Sequence, residues 1–140
     1  MTTNVETDGI ARGVLEELGD EHLVLAVPGT EYRLRLATTA DGSTLASHLG
    51  KRIKGRIHAN ALWMHTAQAG GRFVEPVWGA PRIVSGAVLT VDEAKNRLLV
   101  DVAVPMWVTL ADGQQATDFA EGQMVNFYVT SGTSFEPVGD

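Results

Sequence analysis

The chain says the same thing twice, and an internal repeat of this length restricts the fold more than any single motif does. Ile10-Ala11-Arg12-Gly13-Val14-Leu15 returns as Ile83-Val84-Ser85-Gly86-Ala87-Val88-Leu89. Leu23-Val24-Leu25-Ala26-Val27-Pro28 returns as Val100-Asp101-Val102-Ala103-Val104-Pro105. Gly50 opens one strand pattern as Gly122 opens another, and each half closes on a Phe followed by Glu-Pro-Val, ending at Val77 and Val138. The offsets are 73, 77, 72 and 61 residues, a drift that loop insertions produce without changing the order. A duplication splits the 140 residues into an extended or disordered N-terminus over 1–8, a unit over 9–77, a linker over 78–81 and a unit over 82–138. Units of this size bury only about 60% of their unfolded surface and are marginal alone. Trp78-Gly79-Ala80-Pro81 is too short to separate them, so the halves are expected to pack together.

Within each half the pattern has period two. Ile53, Gly55, Ile57, Ala59 and Ala61 alternate with Arg52, Lys54, Arg56, His58 and Asn60, the signature of a strand with one wet face. Turn residues such as Gly19-Asp20 and Pro28-Gly29 bound the runs. The first half predicts strands at 9–18, 22–27, 30–38, 51–64 and 72–77, with a helical turn over 43–49 capped by Ser43 and ended by Gly50. The second predicts strands at 82–91, 97–104, 106–111, 123–130 and 134–138, with Thr117 to Glu121 in the place of the helix. Three strands, a helical turn and two strands is the order of a five-stranded OB-type barrel. Gly13 and Gly86 fit the coiling that a small barrel demands of its first strand. The expected class is all-β: two five-stranded OB-like barrels from an internal duplication, each with a short helical turn between strands 3 and 4. A larger β-sandwich or one ten-stranded barrel is the alternative.

The run Leu49-Gly50-Lys51-Arg52-Ile53-Lys54-Gly55-Arg56-Ile57-His58-Ala59 resembles the last part of a TOBE or Mop module, a small oxyanion-binding unit that also occurs in tandem. The resemblance covers about 30 residues per half and implies an OB-like fold with a small oxyanion as ligand. The Ser-x-Arg-Asn opening of molybdate-binding modules is absent: the first strands open Thr7-Asp8-Gly9-Ile10 and Ala80-Pro81-Arg82-Ile83.

The net charge of −6 hides a segregation that suggests surfaces. Residues 32–58 hold six bases and one acid, whereas residues 98–140 hold six acids and no base. Alternation turns Arg33, Arg35, Arg52, Lys54, Arg56 and His58 outward on strands three and four, a candidate single-stranded nucleic-acid surface without an exposed aromatic to stack bases. At the matching positions of the second half stand Trp107, Thr109, Met124, Asn126 and Tyr128. An outer face that changes from cationic to apolar-aromatic reads as an interface with another copy or a protein partner, or as a platform for bases or sugars.

Other chemistry finds little footing. There is no cysteine, hence no thiol nucleophile or thiolate metal site. His22, His48, His58 and His65 form no metal-binding spacing, and His58 and His65 fall on opposite faces of a regular strand. Asp101, Asp112, Asp118 and Glu121 match no calcium loop. No nucleophile elbow or phosphate loop is present. Met1-Thr2-Thr3-Asn4-Val5-Glu6-Thr7-Asp8 is polar and acidic, so a signal peptide is not expected, and no apolar run approaches the roughly 18 residues of a membrane span. The expectation is a cytoplasmic, non-catalytic binding or assembly module without cofactor or metal. Nucleic-acid binding is the alternative, and capture of a small oxyanion or oligosaccharide a third.

Overall fold

The computed structural model describes residues 9–38, 45–68 and 71–138. They form β1 (Ala11–Leu18), β2 (His22–Ala26), β3 (Arg33–Ala37), β4 (Arg52–Ala67), β5 (Phe73–Glu75), β6 (Trp78–Gly79), β7 (Ile83–Asp92), β8 (Arg97–Asp101), β9 (Pro105–Thr109), β10 (Met124–Val129) and β11 (Ser134–Pro137). The protein is all-β. Helical geometry among the described residues is confined to a turn at 45–46 and a 3-10 turn at Ala116–Asp118, between β9 and β10. The expected Ser43 cap lies outside the described residues. No described helix is long and apolar enough to cross a membrane.

Alternation places the strands as read. In β3, Leu34 and Leu36 are buried between half-buried Arg33 and exposed Arg35. In β4, Ile53, Gly55, Ile57, Ala59 and Ala61 face inward. Partnership is another matter. β1 pairs with β2 and β2 with β3, both antiparallel, while Ala11 to Val14 of β1 pairs with Gly55 to Arg52 of β4. β11 closes this circuit, antiparallel to Ile57 and Arg56 of β4 and parallel to β3 at Ala37. A second circuit runs β7–β8–β9, then β4 through His58 to Asn60, then β10, and back to β7. The sixteen-residue β4 serves both circuits, and β10 and β11 follow one another antiparallel along it.

This corrects the expected boundary between units. The fifth strand expected of the first unit spans 72–77, but β5 within it pairs with Ser85 to Ile83 of β7. The fifth place is taken by Ser134 to Pro137, from the other half of the chain. The expected linker is also structured: β6 lies parallel to β3, pairing Trp78 with Arg33. The two circuits share a core. One continuous cluster includes Leu23, Leu36 and Phe135 from the first circuit and Val84, Leu98 and Phe127 from the second. Each such large side chain contributes about 1.5–3 kcal/mol on burial.

The two circuits match in detail. Both β1 and β7 carry a bulge, between Leu15 and Glu17 and between Val88 and Thr90. A Cβ on Gly13 would sit 2.6 Å from the Ala26 carbonyl oxygen, and one on Gly86 would collide with that of Asp101. In both places a missing side chain lets the first strand approach the second. The bonds from Leu15 N–H to Lys51 and from Gly50 N–H to Leu15 recur as Val88 N–H to Gln123 and Gly122 N–H to Val88.

Candidate functional site

The aromatic surface of the second circuit is real but is composed differently from the sequence expectation. The register of β10 on β4 slips between Tyr128 and Val129, which pair with Trp63 and Ala61. Leu62 is the extra residue, and this bulge turns both Leu62 and Trp63 outward. They are 57% and 47% exposed, and Tyr128, directly across from Trp63, is 58% exposed. Ile83 of β7 flanks Tyr128 on its other side, half-buried. The bulge is held from the edge that β10 leaves open. Gln114, itself buried, accepts a hydrogen bond from Met64 N–H and donates one to Met64 C=O, both at 2.8 Å, as a neighbouring strand would. Its own carbonyl accepts from the Asn96 side chain at 3.0 Å.

Of the expected interface residues, Tyr128 belongs to this ridge, with Asn126 and Met124 half-buried farther along β10. Trp107 does not belong. It points outward between buried Met106 and Val108, but the Arg97 guanidinium stacks on it at 4.0 Å and a Cβ on Gly9 would reach its Nε1. The indole is covered by its own chain, and its buried N–H has no partner among the described residues. Exposed Thr109 lies beside Arg97 and Asn60 instead. The same bulge reverses the histidine reading: His58 and His65 both lie on the outer side of β4.

The expected basic face divides in two, because β11 runs between β3 and β4. Arg52, Lys54, Arg56 and His58 form a stripe on β4, with Arg12 of β1 opposite Lys54 and Glu136 of β11 opposite Arg56. His58 Nε2 meets Glu136 Oε1 at 3.0 Å, and this hydrogen bond holds the Glu136 carboxyl below its ordinary value.

Arg33 and Arg35 open elsewhere, into a groove of about 500 Å³ lined by Glu16, Glu17, Val24, Arg33, Arg35, Trp78 and Gly79. The β1 bulge explains why two consecutive carboxylates face the same side. Glu16 takes a 3.0 Å ion pair from Arg33 Nε. Arg35 reaches His22 Nδ1 at 3.5 Å, and His22 Nε2 reaches Glu17 at 3.4 Å. The chain of contacts thus runs from Arg35 through His22 to Glu17. Trp78, read from sequence as linker, is 71% exposed and fixed by a 3.0 Å hydrogen bond from its Nε1 to the Glu31 carbonyl. Its only sequence signal was an aromatic in a supposed linker.

Among the described residues no group of three or more His, Asp or Glu side chains converges as a metal site. No known protein family matches the chain. No curated protein matches it in sequence either.

Proposed function

We propose that the chain is a tandem of two OB-like barrels born of a duplication, the first completed by β11 from the second half and the second by the shared β4 from the first, and that it works as a non-catalytic assembly module. The matched bulges, glycines and turn hydrogen bonds support the duplication, all at offsets of 72 or 73 residues. The observation that carries the assembly reading is the ridge of Leu62, Trp63 and Tyr128. These are three large apolar side chains, all close to half exposed or more, at neighbouring positions of one sheet. Adjacent exposed aromatics on a rigid strand pair mark interfaces, and aromatic pairs contribute beyond the area they bury. A second copy is the occupant we favour, since a two-fold contact needs only one self-complementary patch.

The electrostatics favour assembly over nucleic acid. Arg33 and Arg35 share their surface with Glu16 and Glu17, which leaves a phosphate backbone the β4 stripe with Arg12 beside it, bordered by Glu136. Sedimentation velocity tests the assembly reading. The wild type is expected to form dimers at micromolar concentration, and the double variant Trp63→Lys, Tyr128→Lys to remain a folded monomer. A wild type that stays monomeric at high micromolar concentration refutes self-association.

A further inference from the structure

The groove on the first circuit is separate from that ridge and has a chemistry of its own. Glu17, Val24 and Arg35 are successive partners across β1, β2 and β3, and Arg33 and Trp78 are partners across β3 and β6. The result is an apolar strip at Val24, an indole along one wall, and two carboxylates and two guanidiniums around them. The hydrogen bond from Arg33 N–H to Val77 C=O, at 2.8 Å, ties the indole-bearing segment to β3. With Nε1 also engaged, the Trp78 face is presented to solvent in one orientation, so little freedom is lost when something stacks on it.

Charge decides what that something is. Two acids and two bases cancel, and Arg33 is already engaged by Glu16. A polyanion gains no net attraction here, and a cation meets Arg33 and Arg35 as well as the carboxylates. The groove still offers acceptors and donors side by side, close to an apolar plane. A neutral polyhydroxylated ring is complementary to that set. Its C–H face lies on the indole, while adjacent hydroxyls donate to Glu16 or Glu17 and accept from Arg33 or Arg35. The volume falls in the range of about 300–1,000 Å³ typical of small-molecule sites. We infer that this groove is a saccharide-binding site, with Trp78 as the stacking platform and the Glu16–Arg33 and Glu17–His22–Arg35 groups as the hydroxyl-reading walls.

Isothermal titration with maltotriose, cellotriose and chitotriose tests it, with oligo-dT and inorganic phosphate as charged counter-probes. At least one trisaccharide is expected to bind in the millimolar range or tighter, with affinity indifferent to salt. Trp78→Ala, at a position 71% exposed, is expected to weaken that binding roughly tenfold or more while far-UV circular dichroism stays that of the wild type. Glu17→Gln, which keeps the size and loses a charged acceptor, should weaken it less. Three results overturn the inference: no trisaccharide binding at tens of millimolar, binding that Trp78→Ala leaves unchanged, or salt-dependent oligo-dT binding that Trp78→Ala abolishes. The ridge variant Trp63→Lys, Tyr128→Lys should bind the sugar as the wild type does, so the two readings fail separately.

Discussion

Phe135→Ala is the sharpest test of the exchanged strands. Phe135 is 2% exposed, lies opposite Ile57 in the first circuit, and its ring rests on the backbone of Gly55, where a Cβ would come within 2.5 Å of Cζ. Truncating a fully buried Phe costs about 3–5 kcal/mol. Against a total stability of about 5–15 kcal/mol, that is a large share. Urea unfolding should show the loss as a lower midpoint. Amide exchange should locate it, with protection in β2 and β3 falling at least as far as protection in β8. The sequence-equivalent Phe73→Ala should cost clearly less, because Phe73 is half-buried on the three-residue β5. Refutation would be unchanged exchange in β2 and β3, or a Phe135→Ala cost below about 1 kcal/mol. Either result would mean that β11 does not seal the first circuit.

Gln114→Ala removes both hydrogen bonds to Met64 and leaves a buried N–H and C=O without partners. At about 1–3 kcal/mol for each of the two unsatisfied groups, the expected loss is about 2–6 kcal/mol, read as a lower melting temperature; a change under about 0.5 kcal/mol would show that water reaches that edge. Asp92 is held below the ordinary carboxylate value chiefly by its hydrogen bond from Arg97 at 2.8 Å. Because its folded pKa is depressed, the stabilisation is present above the unfolded value and is lost as pH falls through the folded one. Asp92→Asn should therefore lower stability near neutral pH, by less than about 1 kcal/mol, and make no difference in strong acid; urea midpoints at several pH values check this.

Which face a residue takes was legible in the sequence, because side-chain direction alternates whatever the strand pairs with. Leu34, Leu36, Ile53 and Ile57 fall where alternation puts them. Neighbours were not legible. Phe73-Val74-Glu75-Pro76 and Phe135-Glu136-Pro137 look alike, yet one lies on β7 and the other closes the first circuit. Period two says nothing about which edge a strand will meet. The candidate sites depended on bulges, which alternation assumes away. One at Leu62 created the ridge and moved His65, and one at Glu16 gathered the carboxylates of the groove. Trp107 points outward as alternation puts it, yet it is only half-exposed, because Arg97 and the chain at Gly9 lie against its indole.

The crossing of β4 and the late placement of β11 have a consequence for biosynthesis. Chains emerge from the ribosome amino end first, and domains generally fold as units in that order. Here the first circuit waits for β11, which follows every other described strand in chain order. The second circuit can close once β10 has emerged, because β4 has been available since the first half was made. The part translated first is therefore completed last, and until then the edge of β4 from Gly55 to His58 stays unpaired, an edge of the kind that invites contact with other chains.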